Sequence, residues 1–122
     1  MAGITVVTIS TGDASLWTQG AVKAMEQADT LVLRTGRHAV VPWLTARGIA
    51  FETLDRLYDL AEDFDAFNHD AASYLWSLAE KASVTYAVSD PALDATVAAL
   101  RLTAEGKTTL RILPGVSHVA AA

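Results

Sequence analysis

Ile4-Thr-Val-Val-Thr-Ile9, followed directly by Ser10-Thr-Gly-Asp13, gives the first indication of the chain's architecture. The apolar and β-branched run is typical of a buried strand, and the glycine after it predicts a tight turn. A helical pattern then covers Thr18 to Ala28, with Thr18 as the expected N-cap. The opening of the chain therefore predicts a strand, a turn and a helix.

The same alternation continues along the chain. Short β-branched runs predict further strands at Thr30–Arg34, Ala50–Thr53, Val84–Val88 and Thr108–Leu113. Helical spacing predicts a short helix over Val40–Arg47, closed by Gly48, a long one over Phe64–Ala82, and another marked by Leu93, Val97, Leu100 and Ala104. Alternating strands and helices favour right-handed crossovers. We therefore expect a three-layer α/β domain with a five-stranded, mainly parallel sheet, occupying residues 1–122 as one unit.

Composition narrows the classes of function. The chain has 122 residues, a net charge of −5 and no cysteine. Lysine and arginine are too scattered to match the phosphates of a nucleic acid, so we expect no nucleic-acid partner. The absence of a signal-like N-terminus and of a long apolar run predicts a cytoplasmic protein with no membrane association. Seven acids between Glu52 and Asp70 are most simply a solvated surface.

Ligands of parallel sheets bind beyond the carboxyl ends of the strands, so the loops at those ends are the places to look for chemistry. The expected loops are 10–14, 35–38, 89–92 and 114–117. Gly12 and Asp13 lie at a helix start that attracts anions, although an ordinary turn explains them as well. Arg34, Thr35, Arg37 and His38 form the best polar cluster, suited to carboxylates or phosphates, or equally to a turn that pairs with the acidic segment.

Other catalytic patterns are weak. Ser117 and His118 are adjacent in sequence, which does not make a triad. The three histidines lack metal-ligand spacing, and the paired acids around Glu52 and Glu62 are better explained by helix capping and solubility. We therefore expect no metal site and no acid–base or nucleophilic residue.

Four motifs in order resemble the N-terminal domain of the tetrapyrrole (corrin/porphyrin) methylase family. They are the Gly12-Asp13 turn, Leu33-Arg-Thr-Gly-Arg-His38, Phe51-Glu-Thr-Leu-Asp-Arg-Leu-Tyr58 with Ala61-Glu-Asp-Phe64, and Ile112-Leu-Pro-Gly-Val-Ser117. The second and third are most similar to the branch fused to MazG-type nucleotide pyrophosphohydrolases. The resemblance spans essentially the whole chain.

The resemblance implies S-adenosylmethionine as the cofactor, bound in a cleft between two α/β domains, and methyl transfer to a tetrapyrrole-like acceptor. By position, Ser89, Asp90 and Pro91 fall in the family's cofactor loop, as do Pro114, Gly115, Val116 and Ser117. Gly12, Asp13, Arg34, Thr35, Arg37 and His38 fall in substrate-side loops. The family's second domain would begin after Ala122, so we expect no methyl transfer from this chain alone. Family members are commonly dimers, which leaves a homodimer as an open expectation.

Two alternatives stand beside this interpretation. Thr8, Ser10 and Thr11 occupy positions where the family has two glycines and a proline, which favours a non-catalytic ligand-sensing or assembly module attached to a nucleotide pyrophosphohydrolase. The second alternative is an unrelated doubly wound domain, in which the four motifs would occur in this order by chance.

Overall fold

The structure is a computed structural model that describes residues 3–104 and 110–113. Within these residues the chain is an α/β domain with five parallel strands flanked by helices, which confirms the predicted fold class. The strands are β1 (Ile4–Thr8), β2 (Thr30–Leu33), β3 (Glu52–Thr53), β4 (Val84–Val88) and β5 (Leu110–Ile112). They lie in the order β3-β2-β4-β1-β5, and every pair is parallel.

Each of the three longer helices begins at a side chain that caps it. The helices are α1 (Gln19–Gln27), α2 (Val41–Ala46), α3 (Asp55–Leu60), α4 (Phe64–Ala79) and α5 (Ala95–Thr103). Thr18, Asp63 and Asp94 each accept a hydrogen bond from a backbone N–H in the first turn of α1, α4 and α5. These bonds satisfy amides that have no partner within the helix, and they fix where each helix starts.

The two faces of the sheet carry separate hydrophobic cores because successive strand residues point to opposite sides. Val6 packs with residues of α4 and α5, including Phe67 and Leu100. The next residue, Val7, packs with residues of α1 and α2, including Met25 and Leu44. The sheet is therefore the middle of three layers, with α1 and α2 on one side and α3, α4 and α5 on the other.

The centre of the sheet contains a reversal of strand order. β1 and β4 are neighbours, paired from Ile4 with Val84 to Thr8 with Val88. The chain leaves β1 toward α1 on one face and leaves β4 toward α5 on the other. Where adjacent strands send their connections to opposite faces, a crevice opens at their carboxyl ends. The fold thus places its natural ligand crevice at the ends of β1 and β4.

Several details of the predicted elements were wrong. The acidic connection after β3 contains helix α3, which is too short to give a clear periodic pattern. Phe64, assigned to the apolar stripe of α4, is 66% exposed because it lies at the first position of that helix. Leu93, assigned to α5, is 83% exposed, since the helix begins only after Asp94. Residues 108 and 109 of the last predicted strand lie outside the described part of the chain.

Candidate functional site

Three loops meet at the carboxyl ends of the strands, and we call this edge of the sheet the rim. They are residues 9–14 after β1, 34–40 after β2 and 89–94 after β4. The Nε2 atom of His38 lies 3.1 Å from the carbonyl oxygen of Ser10 and 3.1 Å from Oγ of Ser89. One imidazole therefore joins all three loops across the crevice between β1 and β4.

The hydrogen bonds around His38 assign its tautomer. The backbone N–H of Val40 donates to Nδ1 over 3.0 Å. An amide can only donate, so Nδ1 is the acceptor and the ring hydrogen of the neutral imidazole is on Nε2. Nε2–H then donates to the Ser10 carbonyl and faces Ser89 Oγ as an acceptor. The hydroxyl hydrogen of the exposed Ser89 is consequently available to another acceptor, whether water or a ligand.

Gly12 allows the first loop to approach the second. Its φ is +95°, in the left-handed region that favours glycine. A Cβ at this position would lie 2.8 Å from both the carbonyl carbon and the Cβ of Ala39. The loop also depends on Ser10, which adopts a φ of +45° despite its side chain. Tight contact between loops thus explains the glycine that the sequence singled out.

Asp13 has a local structural role. Its carboxylate accepts hydrogen bonds from the hydroxyl of Ser15 over 2.7 Å and from the Ser15 backbone N–H over 3.0 Å. These two bonds lower the pKa of the exposed Asp13 carboxyl. They cap a short 3-10 turn at Ala14–Leu16. The interpretation of Asp13 as a turn residue accounts for everything it contacts.

A cavity of about 380 Å³, which we call the rim cavity, lies between the loops after β2 and β4. This volume falls in the range of small-molecule pockets, about 300–1,000 Å³. Apolar side chains form part of its lining: Ile9, Leu33, Ala87, Val88 and Leu93. Its polar lining residues are Arg34, Thr35, His38, Ser89, Asp90 and Asp94. Such a lining suits a molecule with an apolar body and a few hydrogen-bonding groups.

The predicted site residues divide into three sets. Arg34, Thr35, His38, Ser89 and Asp90 line the rim cavity together. Gly12, Asp13, Arg37 and Pro91 belong to the same loops without lining it. Pro114, Gly115, Val116 and Ser117 lie outside the described residues.

Arg34 links the end of β2 to the helices behind the rim. Its guanidinium nitrogen lies 3.4 Å from Oδ2 of Asp94 and 3.3 Å from Oγ1 of Thr96, and the group sits 5.0 Å from the ring centre of Phe67. The Arg34 side chain is 38% exposed, whereas that of Asp94 is only 7% exposed. The ion pair therefore fixes the start of α5 against β2 and forms one wall of the rim cavity.

The same network has a buried tyrosine at its base. Tyr86 is fully buried, and its hydroxyl has no hydrogen-bond partner within residues 3–104 and 110–113. Burial raises the pKa of this hydroxyl, and the negative charge of Asp94 raises it further, while Arg34 partly opposes the change. The phenol stays protonated at neutral pH and keeps a donor next to the ion pair.

Arg37 faces the other side of the β2 loop. A second cavity of about 380 Å³ lies there, lined by Arg34, Thr35, Arg37, Asp55, Tyr58, Asp59 and Phe67. The backbone N–H of Gly36 donates to Oδ2 of Asp55 over 2.9 Å, and this bond is the main reason that the pKa of Asp55 is lowered. The loop therefore does contact the acidic segment, as one of the two sequence interpretations expected.

Sequence reasoning missed residues whose importance depends on tertiary contacts. Trp17 is buried, donates from Nε1 to the carbonyl of Ile9 over 2.8 Å, and meets Trp43 edge to face at 4.9 Å between ring centres. It thereby holds the end of β1 at the rim. A buried tryptophan requires a partner for its N–H, but its sequence position alone does not identify that partner. No feature of the sequence indicated the pairing of Asp94 with Arg34 either.

The described residues contain neither a metal-binding cluster nor a membrane-spanning helix. In residues 3–104 and 110–113, no three histidine, aspartate or glutamate side chains are grouped so that they could hold a metal ion. Within the same ranges, no helix has the length and apolar character needed to cross a bilayer.

Comparison with known proteins gives a similar protein but shows no family. No protein-family model matches the chain. The chain is similar to the protein named Uncharacterized protein YabN of Bacillus subtilis (strain 168), with 35% identity over 89 residues. The aligned segment is 72% of this chain and 18% of that protein. The chain thus corresponds to less than a fifth of the relative's length.

Proposed function

We propose that this domain binds S-adenosylmethionine at the rim cavity, as the N-terminal domain of a methyltransferase of the tetrapyrrole methylase family. The observation that carries the proposal is the contact of His38 with Ser10 and Ser89, which gathers three loops at the strand-order reversal. The order of sequence motifs supports the choice of family. The cavity supports a small-molecule ligand, since both its volume and its lining suit one.

Methyl transfer from S-adenosylmethionine needs little acid–base catalysis from the protein's titratable groups. The sulfonium of S-adenosylmethionine is already an activated methyl donor, so the protein has to align the two reactants and exclude water. Such alignment is worth up to about 7–11 kcal/mol of the barrier in well-oriented reactions. The apolar residues of the rim cavity would exclude water, and the hydroxyl hydrogen of Ser89 would meet an acceptor on the cofactor. The carboxylate of Asp90 and the backbone carbonyl groups of its loop would accept hydrogen bonds from donor groups of the cofactor.

The conformation of Ser10 also supports the proposal. In the family pattern this position is a glycine, and here a serine has a φ of +45°, a conformation that glycine adopts most easily. The loop therefore keeps a glycine-like path although the residue has changed. Its carbonyl still accepts from His38.

A second candidate is a non-catalytic ligand-sensing or assembly module in a protein that also contains a MazG-type nucleotide pyrophosphohydrolase. Thr8, Ser10 and Thr11 favour it, because their side chains occupy a loop in which the family's glycines let a ligand approach the backbone. The relative, of which the aligned segment is a small part, is consistent with a module within a longer protein.

Calorimetric titration of S-adenosylmethionine and S-adenosylhomocysteine into a longer natural protein that contains this chain tests the proposal. We expect saturable binding that Ser89→Ala and His38→Ala weaken and that His69→Ala, in an exposed part of α4, leaves unchanged. No binding at millimolar ligand would exclude the proposed cofactor site. Methyl transfer to a tetrapyrrole by a longer natural protein that contains this chain would favour the enzyme, and binding without transfer would favour the module.

A further inference from the structure

Three large apolar side chains within seven residues of sequence are exposed at the junction of α3 and α4. Tyr58 is 52% exposed, Leu60 71% and Phe64 66%. Within the described residues the other exposed large hydrophobic side chains, Leu16, Leu93 and Leu102, are widely separated in sequence. Isolated exposed apolar residues are ordinary, but a cluster of them marks an interaction surface. We call Tyr58, Leu60 and Phe64 the apolar patch.

The patch is fixed to the core of the domain. The rings of Tyr58 and Phe64 are 6.1 Å apart between centres, and the ring of Tyr58 meets that of Phe67 edge to face at 5.5 Å. Phe67 is only 1% exposed and packs beneath Arg34. The aromatic surface is consequently held in place before any partner arrives, which lowers the entropic cost of binding.

Exposed acidic side chains flank the patch residues in sequence. Asp59, Glu62, Asp63 and Asp65 are all exposed and lie between or beside the apolar residues in sequence. Residues 54–70 contain six acids and a single basic residue, Arg56. Solubility explains the acids, but it does not explain why three large apolar side chains are exposed among them.

We propose that the apolar patch binds a separate polypeptide whose apolar side chains are flanked by lysine or arginine. Burial of Tyr58, Leu60 and Phe64 would supply the favourable free energy, and the flanking acids would select the charge of the partner and speed its association. A second copy of this chain would bring one set of flanking acids against another, which is unfavourable. The surface lies outside the rim cavity, so the inference does not depend on the proposed cofactor.

The location of the patch gives the partner a second point of contact. Tyr58 and Asp59 also line the second cavity, beside the β2 loop that contains Arg37. A side chain of the partner that extends past Tyr58 would enter this cavity. Tyr58 and Asp59 thus connect the patch to the second cavity.

Fluorescence anisotropy with a short labelled peptide of leucine and lysine tests the inference. Saturable binding is expected, and Leu60→Ser and Phe64→Ser should each raise the Kd by about tenfold, as loss of a central apolar contact does. Leu102→Ser, which removes an exposed leucine of α5 outside the patch, should leave the Kd unchanged. Circular dichroism on each variant checks that the fold is retained.

Two matched peptides and one hydrodynamic measurement complete the test. A peptide with glutamate in place of lysine should not bind, and one with serine in place of leucine should bind much more weakly. If the serine peptide bound as tightly as the leucine peptide, general charge attraction would explain the binding, and the proposal would be overturned. Concentration-dependent dimers in sedimentation, abolished by Phe64→Ser, would assign the patch to a second copy and equally overturn it.

Discussion

His38 and Ser89 are 51 residues apart in sequence, yet Nε2 of the first lies 3.1 Å from Oγ of the second. The contact spans the ends of β2 and β4, which are neighbours in the sheet. The same nitrogen reaches the carbonyl of Ser10 at the end of β1. His38 is therefore the residue on which the alignment of the rim loops depends most directly.

Replacement of His38 by alanine should loosen the rim and weaken ligand binding together. Loss of the partly buried hydrogen bonds is expected to lower the free energy of unfolding by about 1–2 kcal/mol. Urea denaturation measures this change, and calorimetry with S-adenosylhomocysteine measures the affinity. His69→Ala is the matched control because it removes an exposed imidazole of α4. An unchanged affinity in His38→Ala would show that the loop contact has no part in binding.

Gly12→Ala should destabilise the domain by about 2–4 kcal/mol, since an alanine there combines an unfavourable φ with overpacking. Its methyl group would lie 2.8 Å from the backbone of Ala39. Gly48→Ala provides the comparison, because Gly48 also has a positive φ, +69°, but nothing lies within 4 Å of its added Cβ. The free energy of unfolding of Gly48→Ala should fall by only about 1–2 kcal/mol, the cost of the positive φ alone. Equal midpoints of thermal unfolding for the two variants would contradict the close approach of the loops.

Ser10 is expected to tolerate glycine better than a β-branched residue. Because its φ is +45°, Ser10→Gly relieves local strain and should leave the free energy of unfolding within about 1 kcal/mol of the original. Ser10→Val should lower it by at least about 1–2 kcal/mol, since a β-branched side chain is strongly disfavoured at this φ. Chemical denaturation of the two variants side by side measures the difference, and a more stable valine variant would refute the assigned backbone conformation.

Asp55 should make the β2 loop sensitive to acid. The N–H of Gly36 holds the pKa of this carboxyl below its ordinary value of 3.8 in the folded state. A lowered folded pKa means that the stabilisation is complete above about pH 4 and is lost as the pH falls through the folded pKa. Urea midpoints of the original and Asp55→Asn should therefore differ more at neutral pH than near pH 3, by a modest amount because the carboxyl is largely solvated.

The Asp55 experiment has a neighbouring control. Asp59→Asn removes the same charge from the same cavity without touching the Gly36 hydrogen bond, and it should leave the midpoint at neutral pH unchanged. A difference between original and Asp55→Asn that is independent of pH would show that the carboxylate charge does not contribute.

Much of the fold could be predicted because its signals are local. The β-branched runs of β1, β2 and β4 are long and bounded by turn residues, and Thr18 begins α1 where its side chain suggested. Alternation of strands and helices then fixes the parallel class. Helix α3 was not predicted because six residues are too few to display a helical period. Phe64 and Leu93 were assigned to buried helix faces because they are apolar, but both are exposed.

The site could be predicted only as a set of loops. Carboxyl-end loops follow from the parallel sheet, and five of the predicted residues do line one cavity. Which loops meet depends on strand order, and nothing local places β4 between β1 and β2. The bond of Trp17 to Ile9 and the pairing of Arg34 with Asp94 depend on that order too, so they became visible only in three dimensions.

The position of β4 has a consequence for how the domain is made. β1 is synthesised before both of its partners, because Ile4 pairs with Val84 of β4, about 80 residues further along the chain, and with Leu110 of β5, which comes later still. Contacts so distant in sequence form slowly, because the entropy cost of closing a long loop comes before the contacts contribute any stabilisation. Until β4 is inserted, the apolar surface of β1 and β2 lacks its central neighbour and the crevice does not exist. A molecule that occupies the crevice would therefore bind only chains in which β4 lies between β1 and β2, and it would protect those chains from proteolysis.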